Sequence, residues 1–316
     1  MSDERNNAMT TDRLDAPFAL ARFRDGDAVA LGLVAGERIR RLSDDELGAA
    51  GLNAFLAAPD WDRLGALVDA EDGWMPLADV TLTAPVEPRQ VLQAGANYRQ
   101  HVIELVAAGL TNNSDRTPEE AREFAAKMMD DRAANGEPYF FIGLPACVVG
   151  DDVPLVLPAY SDVHDWELEL AIVIGREAFG VSREDALGHV AGYTIVNDIT
   201  TRDLVFRKDM KEIGTDWYRS KNAPGFLPTG PFLVPAPFVD GGALNVRLEL
   251  NGQVMQDGST DDLLFGIAAL ISGASQTMPL LPGDILLTGS PAGNGQHWKR
   301  FLQDGDVMTG SISGLG

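Results

Sequence analysis

The chain has 316 residues, 45% of them hydrophobic, with 47 acidic against 25 basic side chains and a net charge of −22. That length buries a large core and suits one main domain with a smaller companion. The charge argues against nucleic-acid binding, which needs clustered Lys and Arg, and against docking on an anionic membrane; one bound cation and one placed lysine can still reverse its sign locally for an anionic substrate.

Residues 1–15 are polar and lack an apolar h-region, so a disordered tail is expected there rather than a signal peptide. No apolar run reaches the length of a membrane span. Phe18 to Leu42 alternates around Asp25-Gly26-Asp27 and Ala35-Gly36-Glu37, which predicts a short meander of strands. Asp44 to Ala70 reads as helical, with Leu47, Leu52, Phe55 and Leu56 as core candidates. Val80 to Pro88 is strand-like and bounded by proline, and a boundary falls near Pro85 to Pro88. It divides a small N-terminal β/α domain over 16–86 from a catalytic domain over 87–316.

Val91 to Gly95 is a short strand that leads into a loop and then a helix over Asn97 to Glu104. Thr117 is an N-cap followed by Pro118, Ala121, Phe124, Ala125 and Met128 recur at helical spacing, and Gly136 closes the helix. Residues 105–137 therefore read as a helical lid or insertion. From Pro138 the pattern is mostly strand: Ala146–Val149, Leu168–Ile174, Tyr193–Val196, Phe232–Val234, Leu244–Leu250 and Ile285–Thr288, interrupted by a helix over Leu263–Ser272. The class is α+β and β-rich, a folded roll or barrel rather than a doubly wound sheet. Cys147 is the one cysteine and lies in an apolar run, so no internal disulfide forms and a buried thiol in a reducing, cytoplasmic setting is expected.

The densest chemistry lies in Asp165-Trp166-Glu167-Leu168-Glu169-Leu170-Ala171. Residues i and i+2 of a strand share a face, so Glu167 and Glu169 set two carboxylates side by side. Like charges that close repel unless a cation or proton lies between them. An edge strand with its polar face in water explains the pair alone just as well. Asp198, at the end of the strand-like Gly192-Tyr193-Thr194-Ile195 run, adds a third carboxylate. Such an all-oxygen set suits Mg²⁺ or Mn²⁺, with Ca²⁺ as a further candidate.

His101 and Glu104 stand at i and i+3 of a helix and share a face, as a general base and its orienting carboxylate do; a surface His–Glu pair is the plainer reading. Lys221 precedes a Pro/Gly-rich loop, where a lysine is ordinarily solvated. The glycines of Leu281 to Gly295 free backbone N–H groups for an anion, without a P-loop or dinucleotide fingerprint; a tight loop also accounts for them.

In this order the segments resemble the fumarylacetoacetate hydrolase family. The shared patterns run from Gly95-Ala96-Asn97-Tyr98 through His101 and Glu104, Glu167 to Ala171, and Asn197 to Asp203. They continue through Lys221 with Pro228 to Pro231, Asn251 to Gln256, and Pro282 to Gly293. The resemblance covers about Phe18 to the C-terminus, and collinear order makes it specific.

It implies a mixed β-roll with Mg²⁺ or Mn²⁺ on Glu167, Glu169 and Asp198, and water activated by His101 with Glu104. It implies that Lys221 stabilises an enolate or carboxylate, and that Tyr98, Arg202, Gly289 and Ser290 bind substrate. The implied activity is cleavage of a C–C bond in a 1,3-diketo acid of acylpyruvate, fumarylacetoacetate or 2,4-dioxo-acid type, by a homodimer. Decarboxylation, isomerisation or hydration of a 2-oxo-acid are the alternatives on the same site, and a non-catalytic metal- or anion-binding protein is the reading from another class. Three positions depart from the family pattern and fall on the substrate pocket: Gly143 where a lysine is frequent, Pro224 where an aspartate is frequent, and Ser290 in place of threonine.

Overall fold

Two glycine turns fold the N-terminal alternation into antiparallel strands, β1 (Ala19–Asp25), β2 (Ala28–Ala35) and β3 (Arg38–Arg41). Gly26 and Gly36 have φ of 62° and 56°, which suits glycine at each turn. The computed structural model describes residues 14–113 and 115–316, so most of the tail expected over 1–15 lies outside the described residues. The segment 44–70 is three short helices rather than one: α1 (Asp44–Leu47), α2 (Leu52–Ala57) and α3 (Trp61–Gly65). A Ser43–Glu46 capping box starts the first, and Gly48 in the left-handed region ends it. Strands β4 (Trp74–Pro76) and β5 (Leu82–Thr83) follow.

Beyond Pro88 come β6 (Val91–Gly95), the helices α4 (Arg99–Asn113) and α5 (Pro118–Asn135), then β7 (Tyr139–Gly143) and β8 (Val148–Gly150). Thr117 and Glu120 cap α5 reciprocally. Its buried face is Ala121, Ala125 and Met129, whereas Phe124 and Met128 turn outward at 44% and 38% exposure. The strands that carry the site are β9 (His164–Asp165), β10 (Leu168–Ile174), β11 (Val190–Asn197) and β12 (Thr200–Thr201). After them come α6 (Trp217–Lys221), β13 (Leu227–Pro235), β14 (Asn245–Leu250), β15 (Gln253–Ser259) and α7 (Ile267–Ser275). Last are β16 (Ile285–Leu287), α8 (Gly295–Trp298) and β17 (Met308–Ile312).

The main sheet has 12 strands on an open path, β4-β3-β2-β1-β13-β11-β10-β16-β6-β7, with β5 on β1 and β8 on β13. Its pairs are antiparallel except β13 with β8 and β16 with β6, so the sheet is mixed. Leu20 opposite Leu233 joins the N-terminal strands to the rest. A second sheet, β15-β14-β17, packs beside it. Every residue of β10 is buried, with Leu168, Leu170, Ile172 and Ile174 in one core cluster and Ala171 and Val173 in another. Full burial of such side chains is worth roughly 1.5–3 kcal/mol each, which fixes the strand and its register.

Candidate metal and active site

The site is built where β10 begins and β11 ends. Glu167 lies just before β10, Glu169 is its second residue, and Asp198 is the residue after β11. The two strands are antiparallel with Leu168 opposite Asn197, and the Asp198 N–H donates to the Glu167 carbonyl at 2.8 Å. One carboxylate oxygen from each of Glu167, Glu169 and Asp198 falls within 4.8 Å of the others, so the group could hold a metal ion.

Two cations meet this cluster. Lys221 is 3% exposed, contrary to the ordinary solvated lysine. Its ammonium donates to Glu167 Oε2 at 2.5 Å and to Asp198 Oδ2. Arg202 donates to Asp165 Oδ2 at 2.6 Å and to Glu167 Oε1 at 2.7 Å. Asp165 in turn accepts the Trp166 N–H at 2.8 Å and the Gly295 N–H at 2.5 Å. Thr200 donates to Glu167 at 3.2 Å, and the Glu167 N–H donates to Asn197 Oδ1 at 2.9 Å.

The four carboxylates titrate apart. Burial disfavours the Glu167 charge, but Arg202 and Lys221 outweigh it and hold its carboxyl well below the usual range. Burial and the nearby Asp198 charge push Glu169 well above it. Burial raises Asp198 to about 6, although the Lys221 charge pulls the other way. Burial also raises Asp165 against the pull of Arg202. On Lys221 burial pulls downward, yet the Asp198 and Glu167 charges prevail and hold the ammonium above the ordinary lysine value.

Four buried or half-buried carboxylates thus face two cations, Arg202 and Lys221. Asp198 Oδ1 is buried without a hydrogen-bond partner among the described residues. A buried oxygen of this kind is unfavourable unless something meets it. A hard divalent cation on Glu167, Glu169 and Asp198 would answer both the surplus charge and the unpartnered oxygen, so the residues present fit such an ion.

Around the cluster, Gly289 at φ 94° turns its N–H to Glu169 Oε2 at 2.7 Å, so this amide is already engaged. Ser290 accepts from Gln256 Nε2 at 2.7 Å, and Gln256 Oε1 accepts the Leu168 N–H at 3.1 Å. Tyr98 is 1% exposed with a hydroxyl that has no partner among the described residues. Burial and the Glu169 charge push that hydroxyl up. Asn97 bonds Phe265 and Thr288, which ties the loop before α4 to the strand end that carries Gly289.

His101 lies on the first turn of α4, and burial pulls its imidazole down while the Glu167 charge opposes that pull. No hydrogen bond joins it to Glu104. Glu104 Oε2 instead stands 3.9 Å from His297 Nδ1 on α8. Sequence reading therefore assembled Glu167, Glu169, Asp198 and Lys221, which the structure brings together, but assigned no part to Asp165, Gln256 or His297. Asp165 could have been found at i−2 and i−4 from the two glutamates. His297 carries no local signal, because only the fold brings it to Glu104.

The C-terminal domain model of fumarylacetoacetate hydrolase matches residues 90–316. A 2,4-didehydro-3-deoxy-L-rhamnonate hydrolase of a Sphingomonas strain is 40% identical over 184 residues, 57% of this chain and 63% of that protein. A mitochondrial oxaloacetate tautomerase of Homo sapiens is 34% identical over 246 residues, 77% of this chain and 69% of its own length. The solved fumarylacetoacetate hydrolase of Exiguobacterium antarcticum superposes with a TM-score of 0.73 at 29% identity, covering 95% of this chain and 96% of that one. With more than half its length matched and its sheet shared, the chain belongs to the fumarylacetoacetate hydrolase family.

Proposed function

We propose that the chain is a divalent-metal-dependent hydrolase that cleaves a C–C bond in a 1,3-diketo acid, with Mg²⁺ or Mn²⁺ held by Glu167, Glu169 and Asp198. The observation that carries this reading is the buried carboxylate cluster with an unpartnered Asp198 oxygen and a lysine in its midst. When bound, the cation supplies Lewis acidity toward adjacent substrate oxygens. Arg202, anchored on Asp165, orients Glu167. His101, kept neutral by burial, takes the proton of a water that attacks the distal carbonyl. The electron pair of the broken C–C bond leaves as enolate charge, which the Lys221 ammonium balances. The Tyr98 hydroxyl, which has no partner among the described residues, donates to the substrate; Ser290, held by Gln256, orders the loop beside it.

Several further parts of the reading are proposals of the same kind. Residues 16–86 form a small N-terminal domain beside the catalytic 87–316, and 105–137 closes the pocket as a lid. Exposed Tyr139, Ile142 and Leu144 on and beside edge strand β7 suit a homodimer face. No helix among the described residues is long and apolar enough to cross a membrane. The buried, single Cys147 suits the cytoplasm.

A second reading is proton transfer on a 2-oxo-acid, as a tautomerase or isomerase. It is favoured by His101, whose imidazole burial keeps neutral and so able to take a proton from carbon as well as from water. The human relative named an oxaloacetate tautomerase points the same way. Turnover of acylpyruvates, fumarylacetoacetate, a 2,4-dioxo sugar acid and oxaloacetate, each with Mg²⁺, Mn²⁺ or EDTA, separates them. Loss of diketone absorbance that EDTA stops supports the hydrolase; keto–enol exchange of oxaloacetate alone replaces it with the tautomerase, and carbon dioxide release with a decarboxylase.

A further inference from the structure

Gln93 lies on β6, is 1% exposed, and both its Nε2 and its Oε1 lack hydrogen-bond partners among the described residues. The amide's reach takes in the Asp198 carboxylate, whose charged form it favours, and the rest of its hydrogen-bonding capacity is unmet among the described residues.

Its neighbours show where it points. The amide faces the Asp198 carboxylate closely enough to hold its pKa down by hydrogen bonding, while Asp198 Oδ1 makes no well-aligned bond among the described residues. On β7, Phe141 is opposite Gln93, and the Phe141 ring stacks on Trp217 at 4.6 Å and lies 5.3 Å from Lys221 Nζ. Gln93, Asp198 and Lys221 therefore share one side of the cluster.

Gly143, opposite Val91, makes the room. A Cβ there would come 2.9 Å from Gln93 Oε1 and 2.9 Å from Val91 Cγ1, so any side chain at 143 displaces the amide. The two positions are matched: the missing side chain on β7 is the space the amide uses.

We propose that Gln93 is a specificity-determining residue, whose amide hydrogen-bonds a carbonyl, enol or enolate oxygen of the oxo-acid beside Asp198, in a space that Gly143 keeps open. The assignment rests on the metal and oxo-acid reading above. A neutral amide both donates and accepts, so it suits an oxygen that gains or loses a proton. A lysine reaching the same space would instead select a second carboxylate.

The probes are Mn²⁺ and oxalate, a planar mimic of the enolate of a 2-oxo-acid. Free Mn²⁺ is followed by its electron paramagnetic resonance signal against metal-free protein, and oxalate binding to Mn²⁺-loaded protein by calorimetry. Gln93→Met keeps the length and removes the amide; Gly143→Ala moves the amide without altering it. Both variants are expected to bind Mn²⁺ as wild type does and oxalate about tenfold more weakly, the loss of one hydrogen bond to a charged acceptor. If Gln93→Met does not fold, Gly143→Ala decides alone. Wild-type affinity for oxalate in the folded variants overturns the proposal and leaves the metal reading standing. Oxalate and Mn²⁺ affinities that fall together overturn it too, since the amide would then serve the carboxylates. A wild-type protein that takes up no Mn²⁺ removes the metal reading, and this assignment with it.

Discussion

Lys221 Nζ donates to Glu167 Oε2 at 2.5 Å from a position that is 3% exposed, and the same ammonium donates to Asp198. Lys221→Met leaves buried carboxylates without that partner. The metal-free variant should lose about 3 kcal/mol in urea unfolding, as broken buried pairs do. Mn²⁺ should recover most of the loss, because it meets the same charge. A loss that Mn²⁺ leaves untouched would remove the link between lysine and metal site.

Glu169→Gln tests the ligand set. The Gly289 N–H can donate to an amide oxygen as it does to Glu169 Oε2, so the loop should keep its shape. Removing a buried carboxylate whose pKa burial has raised should leave the metal-free melting temperature equal or higher near neutral pH. Mn²⁺ affinity should fall by at least about 100-fold, the upper end for a lost supporting contact. Full metal-dependent turnover in this variant would sink the assignment.

Proton and metal compete for Asp198. Its native value of about 6 lies above the ordinary 3.8, so between them the native state holds a proton that the unfolded chain has released. That contribution to stability is present at low pH and is lost as pH rises through about 6. Glu169 is shifted in the same direction. The melting-temperature gain from Mn²⁺ should therefore be larger at pH about 8 than at pH about 5. Scanning fluorimetry across pH with and without metal reads it; equal gains would contradict the reading.

His101→Ala should lower hydrolysis by about 10²–10⁴-fold, the usual worth of a general base. The acidic limb of the pH–rate profile then reads the pair around Glu104. The Glu104 charge raises the His101 pKa and the His297 charge lowers it. Glu104→Gln should move the limb to lower pH, and His297→Ala to higher pH. Shifts in one common direction would dissociate His297 from the base.

Legibility followed the range of the forces involved. Glu167, Glu169 and Asp198 could be read because strand periodicity sets the first two together and a short strand delivers the third. The Thr117 cap and the Gly136 stop of α5 are local and were also visible. The helical stretch expected over Asp44–Ala70 is three short helices, since Gly48 and Gly51 take positive φ between the first two and Ala58-Pro59 separates the second from the third. Leu263 starts no helix; α7 begins at Ile267 after Gly266, because Asp261 and Asp262 form a tighter turn before it. Strands β15 and β17 have weak apolar alternation, and only pairing with β14 makes them strands. Gln93 looked like one more residue of an apolar run, and His297 stands far from Glu104 in sequence, so their roles depend on neighbours that only the fold supplies.

The helical hairpin α4–α5 packs through a small cluster of its own, Val102, Ile103, Ala125 and Met129, apart from the two clusters that bury β10 and β11. Evolution can therefore edit the two regions at different rates. Substitutions within the hairpin cluster can be accommodated while those carboxylates keep their spacing. A change of register in β10 would instead turn Glu169 to the opposite face and dismantle the carboxylate cluster.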